Sequence, residues 1–534
     1  MQTQGRGLTD RQIWLMMGGL MMGTFLSTLD VLIVITALPT IVGDLGGRAS
    51  LSWVITAYLL TSTAAGPVFG KLGDLYGRKR MYQLSIAVFV GGSVLAGVSQ
   101  GIGQLILARG VQGIGAGGLM ALPFAMVADV TPPRQRARFQ SVMIINFAVA
   151  SALGPLVGGL FVDHLSWRWI FFVNIPLGAL ALSASLILRV PRHRVGKVVI
   201  DYLGALLLVG VSACLLLAVT WAEGKRGFSN GSVWELLGVA VVLGLGLVVV
   251  EKRAREPILP MRFFRNSRFN AVAVGSILFG LAIQAGWTLM PLFFQVVTGA
   301  SATLSGVLIL PFVAGNTLAS IITGRLVSRW SRYKWAPVLG QTVATGGLAL
   351  YLTLGASSSR LDGAAFMALT GVGIGIGFQI VVVIVQNSVL QNDIGAATAA
   401  VGFFRSIGLS FGAAIGLGIY NTRVNANITA LVPASVRQRL SQAALQGSPT
   451  AVRALPTGVR HSLVAAFAAA LHSGLLWTVP AAAVSVAVMV MMPELRLADH
   501  ADWSLPGTDT LAGEVLSVPE AAGAQPPPVA PSSV

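Results

Sequence analysis

Cysteine occurs once, as Cys214, inside an apolar run, which excludes an intrachain disulfide and any thiolate metal cluster. Histidine is nearly as sparse: five copies are scattered along the chain, with no H-E-x-x-H pattern or other clustered ligand set. No G-x-x-x-x-G-K-[S/T] loop is present to cradle phosphate, so ATP hydrolysis within the chain is not expected. Charge is scarce as well. Charged residues make up 10% of the 534 residues and hydrophobic ones 54%, with a mean hydropathy of +0.78. A soluble domain of this length does not have that balance, so the expected class is an all-α polytopic membrane protein.

Measured against the ~20 residues that a spanning helix needs, the sequence contains about fourteen apolar runs. They lie near 13–38, 52–70, 82–99, 104–128, 138–162, 169–189, 200–222, 234–250, 270–295, 303–326, 336–355, 363–389, 396–420 and 465–492. The first run follows Arg6 and Arg11 but is about twice as long as the core of a signal peptide, so it reads as a retained helix. The net charge of +17 falls mostly in the loops at 71–81, 131–138, 189–197, 251–268 and 325–334. That placement sets an orientation with both termini cytoplasmic, and it favours contact with anionic headgroups over nucleic acid.

Three sequence echoes predict an internal duplication. GKLGDLYGRKRM (70–81) aligns with GRLVSRWSRYKW (324–335), Gly154 and Gly158 with Gly412 and Gly416, and Gly113–Gly115–Gly117 with Gly373–Gly375–Gly377. Nearly equal offsets in one order argue for a repeated six-helix unit. The expected layout is a cytoplasmic N-terminus (1–12), a six-helix bundle (13–190), two inserted peripheral helices (200–250), and a second bundle (268–492). That second bundle contains a long extracytoplasmic loop (421–464) with a helix-like stretch, Ala434–Leu445. A disordered Pro- and Ala-rich tail (495–534) ends the chain.

Charges inside the apolar runs each need a reason, since one at the bilayer centre costs ~2.5–3.5 kcal/mol on insertion scales. Asp30 and Arg109 are placed at matching depth, ~8–12 Å below the outer surface at ~1.5 Å per residue. Arg109 shares its helix face with Gln112 and Gly113. Asp30 is a candidate reversible proton carrier tuned by Arg109; the alternative is a permanent ion pair fixing two helices. At the inner boundary Gly70, Asp74, Gly77, Arg78, Lys79 and Asp129 read as a conformational gate. Asn392 and Asp393 open the run at 396–420 as an N-cap, whose positive helix end could attract Asp74. The alternative there is ordinary boundary charge. In ALGPLVGGLF (152–161), Gly154, Pro155, Gly158 and Gly159 permit close helix contact and a kink, or serve as plain packing. Asn146, Gln284, Trp287, Asn316, Gln379 and Gln386 read as interhelical glue, some of them lining a cavity with Gln112 and Arg405; Arg405 could meet a carbonyl, an anionic ligand group or, by snorkelling, the headgroups. Arg405 has no acid at matching depth, and His164 reads as an exposed loop residue.

With those residues in hand, the chain resembles the fourteen-helix drug:proton antiporters of the major facilitator superfamily over about 12–492. GKLGDLYGRKR resembles that superfamily's helix 2–3 loop. LILARGVQGIGAGG (105–118) resembles the helix 4 motif whose arginine is implicated in proton transfer, here Arg109. GPLVGG (154–159) resembles the antiporter motif of helix 5, while LDVLIVITALPTI (29–41) and WRWIFFVNIPLG (167–178) resemble signatures of the fourteen-helix branch. The helix 1 signature usually has asparagine where Ile35 or its neighbours stand. The second half carries none of the membrane acids found in relatives that accept dicationic drugs. The resemblance implies two pseudo-twofold six-helix bundles plus two extra helices in a bacterial cytoplasmic membrane. It also implies proton-coupled export of lipophilic, neutral or monocationic compounds, with no cofactor, no nucleotide and no nucleic acid. A monomer suffices for that scheme. Other readings are a dedicated exporter of one metabolite, antibiotic or lipid, a polytopic membrane enzyme, and a transport-dead sensor or scaffold.

Overall fold

The structure, a computed structural model, describes residues 10–45, 51–131, 133–187, 201–222, 231–254, 257–300, 302–330, 332–390, 393–432 and 455–493, plus positions 437, 440 and 452. Most of Ala434–Leu445, Asn392 and the tail beyond 493 lie outside the described residues.

The first part of the chain forms α1 (Asp10–Leu45), α2 (Leu51–Tyr76), α3 (Arg78–Gly97), α4 (Ile102–Val130), α5 (Pro133–Val142), α6 (Ile144–His164), α7 (Trp169–Phe172) and α8 (Asn174–Ile187). A hairpin of α9 (Tyr202–Ala222) and α10 (Gly231–Arg253) follows. The second part contains α11 (Ser267–Leu292), α12 (Ala302–Trp330), α13 (Trp335–Tyr351), α14 (Arg360–Gly377), α15 (Ile380–Gln386), α16 (Ile394–Leu431), α17 (Thr457–Leu476) and α18 (Thr478–Met491). Among the described residues, ten helices are long and apolar enough to cross a membrane. The runs at 52–70, 82–99, 138–162 and 336–355 fall on α2, α3, α6 and α13, which pack against α4, α4, α1 and α14 respectively.

Several boundaries differ from the sequence reading. The segment at 131–138 is not a loop: Pro133 opens α5 at a first-turn position, where its missing N–H costs nothing. Apolar runs 138–162, 169–189 and 363–389 are broken at Met143, at Val173 and at Phe378–Gln379. α16 continues to Leu431, so the first eleven residues assigned to the outer loop are helical.

Helices in lipid gain little hydrophobic free energy by meeting each other, so close packing through small residues holds them. α4 illustrates this. A Cβ at Gly115 would run into Phe89 of α3, and one at Gly117 would meet the Ser62 carbonyl of α2 at 2.5 Å. In the second part, α14 repeats the alternation: Gly371 and Gly375 face α12, and Gly373 faces α13. The matching glycines are therefore 371, 373 and 375, two residues earlier than the expected 373–375–377. That register equals the offset between Gly154, packed on Leu32 of α1, and Gly412, packed on Leu281 of α11. Each part thus forms a bundle with its glycine-lined helix inside, and 72% of the α4 window is buried. The α9–α10 hairpin lies outside both bundles: only 17% of the α10 window is buried, and α9 packs on α2 and α16 where the bundles meet.

Candidate functional site

Asp30 and Arg109 meet. Both are buried, and Arg109 Nη1 donates to Asp30 Oδ2 at 2.5 Å. Asp30 Oδ1 accepts from Gln112 Nε2 at 2.7 Å and from Asn174 Nδ2 at 2.8 Å. Ser93 Oγ accepts from the same two amides, at 2.7 and 3.2 Å. Arg109 spends its other donors on Gln112 Oε1 (2.5 Å) and the Val54 carbonyl (3.3 Å), and it lies 4.2 Å above the Tyr58 ring. Tyr58 in turn donates to the Ser27 carbonyl at 3.1 Å. One carboxylate therefore gathers α1, α2, α3, α4 and α8. Buried charge of this kind persists only when donors and acceptors are almost fully matched, as here. Sequence reasoning found Asp30, Arg109 and Gln112 but not Ser93, Tyr58 or Asn174. Asn174 was visible as the one amide in WRWIFFVNIPLG; Ser93 gave no signal.

The inner-boundary residues also converge. Arg78 donates to Asp74 Oδ1 through Nε (3.1 Å) and Nη2 (2.8 Å), and to Asp129 Oδ1 (2.6 Å) and the Ala125 carbonyl (2.5 Å) through Nη1. Gly77 makes this geometry possible: its φ of 97° turns the chain between α2 and α3 through a region closed to most side chains. The other oxygen of Asp74 reaches across to the second bundle and accepts from the Ala396 N–H at 3.0 Å. This is a helix cap supplied from the opposite bundle. Orphan N–H groups and the positive end of the dipole at the start of α16 make it favourable. Asp393 precedes that helix but makes no cap hydrogen bond; it accepts from Arg262 at 2.8 Å instead. Burial pushes the Asp74 carboxyl up to about 6, against the opposing pull of Arg78. Lys79 donates to the Leu186 carbonyl of α8 at 2.8 Å, a tie between α3 and α8 within its own bundle.

Two further contacts cross the seam, one of them through Gln386, an expected interhelical tie. Arg136 donates to Asn387 Oδ1 and Gln140 to Gln386 Oε1, both at 2.7 Å. Burial lowers Arg136 to about 10. The seam is also nearly symmetric: a Cβ on Gly70 of α2 would lie 2.7 Å from the Gly395 carbonyl of α16. A Cβ on Gly324 of α12 would likewise lie 2.7 Å from the Ala137 carbonyl of α5.

The remaining candidates divide. Gly154 packs closely on α1, Gly158 is buried, and a Cβ on Gly159 would meet nothing within 4 Å. Pro155 lies within α6, with its side chain outside the described residues. Asn146 is interhelical glue, donating to the Met21 carbonyl (2.8 Å) and to Thr24 Oγ1 (2.5 Å) of α1. Trp287 packs on Phe312, with ring centroids 4.7 Å apart. Asn316 and Gln379 are buried, and their side-chain carbonyl oxygens have no partner among the described residues. Gln284 is partly buried on α11, and His164 is exposed at the end of α6. Arg405 lies over the Phe378 ring at 4.4 Å. No group of three or more His, Cys, Asp or Glu suited to a metal occurs among the described residues.

Two helical bundles around interior polar clusters, joined by a charged seam, define a membrane transporter and not an enzyme. The chain belongs to the Major Facilitator Superfamily, whose sequence profile matches residues 20–413. It is 36% identical over 492 residues to an uncharacterised MFS-type transporter of Mycobacterium tuberculosis, covering 90% of this chain and 70% of that one. It is also 36% identical over 412 residues to the multidrug transporter protein MdtP of Bacillus subtilis, covering 77% and 75%. Among solved structures it superposes on the proton:xylose symporter XylE with a TM-score of 0.60 at 12% identity, covering 92% and 98%. That likeness is one of fold.

Proposed function

We propose that this transporter exports lipophilic or amphipathic compounds across a bacterial cytoplasmic membrane in exchange for protons, by alternating access. The observation that carries the reading is Asp30, a carboxylate buried in the interior of one bundle and matched by Arg109 and two amides. A purely structural tie at that depth could be replaced by apolar packing at little cost. A group that gains and loses a proton could not. Protonation of Asp30 removes the charge that Arg109 answers and frees the guanidinium for its other acceptors, Gln112 Oε1 and the Val54 carbonyl. The cycle couples that change to opening of the seam, whose Asp74–Arg78–Asp129 cluster stabilises the state sealed at the cytoplasmic face. The Bacillus relative's designation as a multidrug transporter supports export. In proteoliposomes, Asp30→Asn is expected to bind substrate but lose accumulation driven by a pH gradient. Full accumulation by that variant would remove Asp30 from the coupling step.

A further inference from the structure

Arg405 lies in the second bundle, deep in its helix as Arg109 is in the first, but its surroundings are opposite in kind. It lies in the twelfth position of α16, ~16 Å from the start of that helix at 1.5 Å per residue. Among the described residues no acid and no hydrogen-bond acceptor meets it; the Phe378 ring 4.4 Å away is its charge-answering neighbour. A ring face contributes about 0.5–2 kcal/mol, and this partly buried guanidinium has no counter-charge beside it among the described residues. Beside Arg405 is a cavity of about 30 Å³, walled by Phe279, Ile374, Val381 and Leu409, with Ser276 and Gln341 as its polar lining. That is more than the roughly 10–15 Å³ of such space that one water needs. Ser485 Oγ lies 2.8 Å from Gln341 Oε1 and 2.9 Å from the Gly275 carbonyl, which holds the Gln341 amide beside the cavity.

We propose that Arg405, Gln341 and Ser276 form a binding site for one small monovalent anionic group, either a free halide or the carboxylate terminus of a transported amphiphile. Donors and a fixed positive charge converge there without an acid, the inverse of the Asp30 cluster. The single guanidinium in the lining selects against multivalent oxyanions. The amphiphile source rests on the export reading above; the halide source stands without it.

Thermal unfolding of the purified full chain in chloride, against gluconate at equal ionic strength, tests the halide source. Chloride is expected to raise the midpoint of the wild type through linkage, and Arg405→Gln to abolish the shift. Arg405→Lys should keep a shift with apparent affinity weakened about tenfold. Arg423→Gln, at an exposed position of the same helix, should respond like the wild type. Transport in proteoliposomes of a carboxylate dye and its methyl ester tests the amphiphile source: Arg405→Gln should slow the acid selectively, and chloride should compete with it. If Arg405→Gln keeps the chloride shift and treats acid and ester alike, the site is overturned. If neither dye is exported by the wild type, the export reading fails while the chloride arm still decides the halide source.

Discussion

Two carboxylate–arginine clusters divide the labour in this protein. The Asp30 cluster is internal to one bundle: all its partners, from Ser93 to Asn174, move together with it. The Asp74 cluster looks similar in chemistry but spans the seam, because one of its carboxylate oxygens is bound by a backbone N–H of the other bundle. An internal cluster can change its charge without any bundle moving. A seam cluster reports which way the bundles are tilted. The difference separates a candidate for holding the proton from a candidate for holding the conformation, and substitutions at the two should have different signatures.

The largest effect is expected at Asp30, where Asp30→Asn should abolish uphill accumulation and leave downhill binding measurable by equilibrium dye quenching. Next is Arg78→Ala. It leaves Asp74 and Asp129 as buried carboxylates without their cation, a loss of about 3–5 kcal/mol for a broken buried pair. A fall in thermal midpoint, partly restored by adding Asp129→Asn, would show that the cost is the stranded charge. Gly70→Val and Gly324→Val should each slow turnover at least about tenfold, since either side chain collides with backbone of the opposite bundle. Gly91→Val, where a Cβ would meet nothing within 4 Å, is the control, and equal turnover in all three would refute a close seam. A smaller effect is expected for Asp74→Asn, which should slow turnover more than it weakens binding.

These clusters were legible in the sequence to different degrees. In a chain with so few charges, Asp30, Arg109, Asp74, Arg78 and Asp129 stand out at once, and matching depth paired them correctly. Their uncharged partners were hidden because a serine such as Ser93 looks like any other small residue in a membrane helix. Partners 81 to 144 positions apart, such as Ser93 and Asn174, carry no local pattern. The breaks at Met143, Val173 and Phe378–Gln379 were hidden for a related reason. A single amide such as Asn174 or Gln379 does not end an apolar run, so the run reads as one helix whether or not its hydrogen-bond ladder is interrupted.

The finest distinction between the two clusters is the response of the seam to pH. In the sealed form burial raises Asp74 from 3.8 to about 6. If release returns it to water and to its ordinary value, the sealed form holds the proton more tightly. Sealing is then favoured at low pH: the contribution is complete below about 4 and is lost as pH rises through 6. With a difference of about two units, it amounts to at most about 3 kcal/mol. Spin labels at Tyr76, exposed at the end of α2, and at Leu390, exposed in the connection between α15 and α16, read the separation directly. The mean distance is expected to lengthen between pH 5 and pH 7, and Asp74→Asn, which cannot ionise, should flatten the response in the short-distance form. A distance that lengthened on acidification instead would mean that the charged carboxylate, through Arg78 and the Ala396 N–H, is what closes the seam.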